Sequence, residues 1–302
     1  MAAGAAVVGV PAAGLVWGVI EARAYVLRRI TASPVGQLHA PLRVLHLSDL
    51  HLLPSQGAKQ RWLTSLDALD VDLVVGTGDF LAHQDAVETL LSALGGLLHR
   101  PGVFVLGSND YYAPKPLNPL KYFGGPSRLK GTPEELPTAA LVAGLTAHGW
   151  LDLTNARGSL TVKGQKVTFV GVDDPHLKRD EMPGPSAARG AVHVGVAHAP
   201  YARVLEAFRK DGADIIFAGH THGGQVCVPG YGALVTNCDL DQGRAKGLHG
   251  WPGRRPDSGE DDGSTWLHVS AGLGTSPFAR VRFACRPEAT LLTLEGPDAL
   301  GQ

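Results

Sequence analysis

The sequence predicts an α/β protein in which two β-sheets pack face to face with helices on their outer sides. Two observations carry this expectation. Short apolar runs alternate with stretches of helical periodicity, first between residues 42 and 106 and again between residues 159 and 218. The runs end in polar, glycine-containing turns, and the Asp, His and Asn motifs of the chain fall in those turns.

Leu42 to Leu47 reads as a buried strand, Val71 to Val75 as a second and Val103 to Leu106 as a third. Between them, Lys59 to Leu69 and Asp85 to Leu98 carry apolar residues at helical spacing. This order is the pattern of a parallel sheet covered on both faces. In such sheets functional groups collect on loops beyond the carboxyl ends of the strands. Further on, Ser159–Val162 and Lys166–Val172 flank Gly164-Gln165 and read as a hairpin. Val192 to Ala197, a helix over Tyr201 to Lys210, and Asp214 to Ala218 restore the alternation. Later strands are expected at Gln225–Val228, Ala233–Val235, Thr265–Ser270, Arg280–Cys285 and Ala289–Leu294. Ala113–Pro137, rich in Pro, Gly and Lys, reads as a long functional loop or disordered segment, and Asp241–Gly263 as a mobile surface excursion.

Residues 1–40 are expected to stand apart from a catalytic domain spanning 41–302. Met1 through Ile20 contain no charged side chain, and Glu21, Arg23, Arg28 and Arg29 follow. This reads as a membrane anchor followed by a basic juxtamembrane helix, with 34–41 as a linker. The alternative is an N-terminal helix packed on the domain. Arginines after an apolar run keep the following domain on the cytoplasmic side. A membrane-associated protein is therefore expected through residues 1–30, with a soluble cytoplasmic one as the alternative.

Composition limits the rest. With 44% apolar and 18% charged residues the 302-residue chain is globular. A net charge of -1 gives no global positive field, so nucleic acid is not an expected partner. Cys227, Cys238 and Cys285 are odd in number and lack CxxC spacing, and are expected as buried free thiols.

Five strand-end motifs carry the chemistry: Ser48-Asp49-Leu50-His51, Gly78-Asp79, Gly107-Ser108-Asn109-Asp110, Ala197-His198-Ala199-Pro200 and Gly219-His220-Thr221-His222-Gly223-Gly224. Hard oxygen and imidazole ligands converging on one sheet edge suit a divalent pair such as Mn, Fe or Zn. In an extended segment Asp49 and His51 face the same way and suit one ion. A lone Asp or His at a strand end is an ordinary turn or cap residue; five in this order point to a metal centre.

The order D-x-H, GD, G-N-H-D/E, H, G-H-x-H resembles the calcineurin-like metallophosphoesterase superfamily, from about Arg43 to the end. The Gly-His-Thr-His-Gly-Gly-Gln form after an apolar N-terminus is similar to its membrane-associated bacterial branch, related to lipid-sugar pyrophosphate hydrolases. The resemblance implies a two-sheet αββα sandwich and a phosphoester hydrolase with two divalent metal ions. Asp49, His51 and His222 would hold one ion, Asp79 would bridge, and Asn109, His198 and His220 would hold the other. A hydroxide between the ions would attack the phosphorus of a phosphodiester, a pyrophosphate or a lipid-linked phosphate.

One motif departs from the pattern. Aligned without a gap, Ser108 takes the ligand place and Asn109 the place of the catalytic histidine. Shifted by one, Asn109 is the ligand and Asp110 follows it. An amide has no proton to give, so Asp110 or His83 would have to serve instead. Asn109 is favoured as ligand, since a carboxamide oxygen is a familiar hard ligand. Lys115, Lys121, Arg128 and Lys130, with Tyr122 and Phe123, suit a grip on an amphipathic phosphate or equally a solvated loop. A non-catalytic metal-binding module that keeps the fold is the alternative to the enzyme.

Overall fold

The computed structural model describes residues 13–116, 133–260 and 262–297. The first sheet has six strands in the spatial order β1 (Val26–Ala32), β14 (Glu288–Leu294), β2 (Leu42–Leu47), β3 (Leu73–Thr77), β4 (Gly102–Val105) and β5 (Leu151–Asp152). The second also has six: β12 (Gly247–Trp251), β13 (Thr265–Val269), β9 (Ile215–Ala218), β8 (Val192–Val196), β7 (Gln165–Gly171) and β6 (Arg157–Val162). A two-stranded ribbon joins β10 (Cys227–Val228) to β11 (Gly232–Ala233). β2 through β5 run parallel, as do β7, β8, β9 and β13 in the other sheet.

Strand alternation sorts the core into layers. In β2, Leu42 and Val44 enter the space between the sheets, while Leu45 and Leu47 face the outer helices. Leu73 and Val75 of β3, Val103 and Val105 of β4, Val192, Val194 and Val196 of β8, and Ile215 and Phe217 of β9 fill the same central layer. Their neighbours Val74 and Phe104 point outward onto α2 (Gly57–Ser65), α3 (Ala86–Leu94) and α5 (Thr138–Ala147), and the one-turn α4 (Ser108–Tyr111) follows β4. On the far side Ile216 and Leu267 pack against Val204, Leu205 and Phe208 of α6 (Ala202–Lys210). The buried residues of α3, namely Ala86, Leu90, Ala93 and Leu94, follow the helical repeat. Strands apolar on both faces need a cover on both faces, and the helix–sheet–sheet–helix layering supplies it. The αββα sandwich expected from the sequence is the observed fold.

Several local expectations are corrected. The basic helix expected after residue 20 ends at residue 21, and Val26–Ala32 is an edge strand parallel to β14 along its whole length. The edge position lets Arg28 and Arg29 stay exposed while the backbone pairs. The 34–41 segment packs closely, with Val35 and Leu38 buried and the Pro34 carbonyl accepting from Trp266 Nε1 at 2.8 Å. Arg280–Cys285 is not a strand; it touches the ribbon through one bridge between Val226 and Phe283, because Arg282 turns inward to cap carbonyls. Within 241–263 lies β12, which closes the second sheet antiparallel to β13. Its alternating small and large residues gave a weak strand signal. Cys227 and Cys285 are buried free thiols as expected, and Cys238 is a half-buried one. Of the 113–137 segment, residues 117–132, with Lys121, Tyr122, Phe123, Arg128 and Lys130, lie outside the described residues.

The helix at residues 13–21 (α1) keeps Leu15, Val16, Trp17, Val19 and Ile20 exposed. Its other side is tied down: Gly18 O accepts from Arg282 N at 2.9 Å, and the buried Glu21 carboxylate accepts from Ala284 N and Cys285 N at 3.1 and 2.7 Å. Among the described residues no helix is long and apolar enough to cross a membrane.

Leu292 is fully buried between the sheets on β14, the strand that joins β1 to β2. Leu292→Ala is expected to destabilise the chain by about 2–5 kcal/mol through lost burial and a residual cavity. Urea unfolding checks this, with a lower midpoint at an unchanged slope as the expected result.

Candidate metal centre

The parallel strands of both sheets present their carboxyl ends at one edge, and the five motifs meet there. The loop after β2 runs beside the loop after β3 as a short ladder. Asp49 N donates to Gly78 O at 3.0 Å, His51 N to Asp79 O at 2.9 Å and Leu52 N to Phe80 O at 2.9 Å. This pairing brings Asp49 and His51 against Asp79. The two side chains converge as expected, but not from an extended backbone: Asp49 and His51 have φ of 49° and 40°. Asp79, His220 and His222 are also left-handed, at 53°, 69° and 49°. Each such non-glycine residue costs of order 1–3 kcal/mol, so the packing around the site holds these side chains in position.

Two glycines show how tightly the backbone is drawn in. A Cβ on Gly219 would lie 1.8 Å from Ser48 Oγ and 2.6 Å from Asp49 Oδ2. One on Gly107 would lie 2.4 Å from Asp79 Oδ1 and 2.8 Å from His198 Nδ1. The glycine opening each of these two motifs is thus required by close approach.

The ligand atoms of Asp49, His51 and His222 lie within 4.8 Å of one another, as do those of Asp49, Asp79 and His198. Asp79 Oδ2 sits 3.4 Å from His51 Nε2 and 3.6 Å from His198 Nε2. His222 Nε2 is 3.2 Å from His51 Nε2 and 3.6 Å from Asp49 Oδ1, and His220 Nδ1 is 3.3 Å from His198 Nε2. The second nitrogen of three of these rings meets a backbone carbonyl: His198 Nδ1 with Thr77 O at 2.7 Å, His222 Nδ1 with Gly274 O at 3.2 Å, and His220 Nε2 with Asn237 O at 3.2 Å. A ring N–H donated to a carbonyl aims the other nitrogen at the cluster, where in the neutral ring it offers the lone pair that a metal-binding imidazole needs. The donor set fits divalent ions of the hard to borderline kind.

Asp110 is fully buried, and its two oxygens accept from Asp79 N, Phe80 N, Leu81 N and Gly107 N at 2.7–3.1 Å. It thereby ties the β4 loop to the β3 loop. Asn109 N donates to Asp79 Oδ1 at 2.7 Å and Asn109 Nδ2 to Asp79 Oδ2 at 2.9 Å, so this side chain reaches the cluster. Ser108 Oγ accepts from Asn109 Nδ2 at 3.4 Å. His83 stays apart: its ring accepts from Asp85 N at 3.1 Å and is half exposed.

The sequence reading missed several neighbours of the cluster. Asp174 and His176 follow β7, a strand-end turn of the same kind as the five motifs, and that position was the available signal. His176 and His220 have ring centroids 4.8 Å apart. Arg282 is buried and donates to Ala271 O, Gly272 O and Gly274 O at 2.7–3.1 Å. Nothing in its local sequence marks it.

Burial alone lowers the proton affinity of His198, yet the carboxylates of Asp79, Asp174 and Asp49 and the Thr77 carbonyl push its pKa up to about 9. Burial lowers that of His51 to about 4, against the pull of Asp79. Burial would raise Asp79, but His198, His51 and the Asn109 N–H groups hold it well below the usual carboxylate range. An ion binding through His198 Nε2 must displace the proton held there, so metal loading is expected to release about one proton at pH 7.5 and to tighten as pH rises toward 9. Calorimetry of Mn²⁺ binding to metal-free protein in two buffers of different ionisation enthalpy measures that proton. Binding without proton release would contradict the assignment.

Residues 42–224 match the family model for calcineurin-like phosphoesterases. The chain is 27% identical over 255 residues to the metallophosphoesterase YkoQ of Bacillus subtilis (strain 168), covering 82% of each chain. It is 25% identical to the UDP-2,3-diacylglucosamine pyrophosphatase LpxG of Chlamydia trachomatis, over 85% of this chain and 84% of the relative. Against the phosphodiesterase YaeI of Escherichia coli (strain K12) the identity is again 25%, over 84% and 83%. With the sandwich and the Asp/His cluster at its strand ends, this match establishes that the chain belongs to the calcineurin-like phosphoesterase family of metal-dependent hydrolases.

Proposed function

We propose that the chain is a binuclear metallophosphoesterase that cleaves a phosphodiester or pyrophosphate, with a lipid-linked phosphate as the preferred class. The observation that carries this reading is the position of Asp79 Oδ2, which faces His51 on one side and His198 on the other. Asp49, His51 and His222 would hold one ion, and His198, His220 and Asn109 the second, with the Asp79 carboxylate serving both. Divalent ions of the Mn, Fe or Zn kind, when bound, would supply there the positive charge that acidifies a water and neutralises phosphoryl oxygens. The carbonyls of Thr77, Gly274 and Asn237 fix the histidine tautomers, and Asp110 fixes the loop that carries Asn109.

The pyrophosphatase and phosphodiesterase names of two relatives support the substrate class. The exposed apolar face of α1 and the exposed Arg23, Arg28 and Arg29 beside it support work at a membrane surface, with the domain on the cytoplasmic side. A non-catalytic role has one observation in its favour, the amide of Asn109 in the motif where the family pattern carries a histidine. The otherwise complete ligand set weighs against it, and turnover with added manganese decides between the two.

Asp79→Asn removes the charge that both halves of the centre share. It is expected to lower kcat on a chromogenic phosphodiester by about a hundredfold or more while leaving the unfolding temperature near wild type. Unchanged turnover in the manganese-restored variant would exclude this mechanism.

Asn109→Ala is expected to weaken metal binding at the second site and to reduce turnover with it, by about tenfold or more. Metal content and activity measured on the same samples check this. A metal titration that matches wild type alongside reduced turnover would instead put Asn109 in the place of the catalytic histidine.

A further inference from the structure

The turn after β7 carries a histidine to the side of the site formed by His198 and His220. Asp173 accepts from the Tyr111 hydroxyl, Arg179 Nε and Asp174 N at 2.7–2.9 Å, and its own N donates to Asn155 Oδ1 at 2.7 Å. Asp174 Oδ1 accepts from His176 N at 2.8 Å, and Pro175 O accepts from Arg203 Nη2 at 3.2 Å. A turn fixed from so many directions holds its side chains in narrow limits. His176 is half-buried, its ring tilted 42° to that of His220, and its Nδ1 lies 3.2 Å from the Tyr201 hydroxyl. A Tyr201 hydroxyl that donates to Nδ1 would place the ring proton on Nε2. Asp174, wholly buried, keeps Oδ2 without a hydrogen-bond partner among the described residues. Its charge also acts on His198. The Gly107-Ser108-Asn109-Asp110 motif brings no imidazole, Asp110 is committed to backbone N–H groups, and His83 is turned to Asp85.

Resting on the phosphoester-hydrolase reading, we propose that His176 is a catalytic residue. Its ring N–H donates a hydrogen bond to the leaving-group oxygen, with Tyr201 holding the ring in place. As the water oxygen forms the new bond to phosphorus, the old P–O bond breaks. Its electron pair stays on the departing oxygen, and the proton released by the water neutralises it. A donor at that oxygen matters most for leaving groups that carry the developing charge poorly.

The test uses the full-length, manganese-loaded protein on a series of aryl phosphodiesters from nitrophenyl to phenyl. His176→Ala is expected to lower kcat/KM on the phenyl ester by about a hundredfold. The loss on the nitrophenyl ester is expected to be only a few fold. Tyr201→Phe should shift the series in the same direction by less, and His176→Gln, which keeps an N–H donor, should recover part of the loss on phenyl esters. Manganese binding by calorimetry should match wild type in all three variants. An equal loss across the series in a variant that unfolds at the wild-type temperature, no loss at all, or weakened manganese binding would each overturn the proposal. Were the wild-type protein itself inactive on the whole series, the hydrolase reading would fail and this inference with it.

Discussion

The site depends on a charged carboxylate held away from water. Asp79 is 2% exposed, and an isolated anion at such a place would take up a proton rather than remain charged. It stays ionised because the backbone and side-chain N–H groups of Asn109 donate to its two oxygens while His51 and His198 face them. Those partners come from strands of both sheets, so the negative charge at the centre and the face-to-face sandwich require one another. The same charge, with Asp174 and Asp49, keeps a proton on the metal-free His198.

Around that charge the backbone is held in conformations it would not adopt alone. Five of the clustered Asp and His residues have left-handed φ, and the glycines of two motifs leave no room for a Cβ beside the carboxylates and imidazole of neighbouring motifs. The restraint comes from below and beside the site. Lys59, 3% exposed, donates to Leu50 O at 2.6 Å between Asp49 and His51. Burial first, then Arg282 and Arg280, push its pKa down to about 7. Arg282 gathers the carbonyls of Ala271, Gly272 and Gly274, and Gly274 O in turn orients His222. Asp110 does the same for the β3 and β4 loops. A second tier of polar groups thus fixes the geometry of the first.

The N-terminal segment links this machinery to the outside. α1 shows five large apolar side chains to solvent, yet its inner side bonds to the 282–285 segment that carries Arg282. Whatever surface α1 meets is therefore one short structural step from the loop that orients His222.

The sequence by itself determined the layered α/β plan and picked out six Asp and His residues that the fold gathers at one sheet edge. Strand length, buried apolar runs and the helical repeat of α3 and α6 are local properties, and the Asp and His motifs are contiguous in the chain. It did not determine residues 26–32 as a strand, because an edge strand's identity comes from β14, some 260 residues away, not from its own pattern. Arg280–Cys285 read as a strand for the opposite reason: its composition suits one, but Arg282 is drawn into a cage of carbonyls from elsewhere. The duty of Asp110 was likewise invisible, since an acid next to Asn109 looks the same whether it donates a proton or caps four backbone N–H groups. His176, an ordinary turn histidine in the sequence, stands against His220 only because β7 and β9 flank β8 in the folded sheet. Such contacts are fixed by the pairing of strands, and strand pairing is the property that local sequence constrains least.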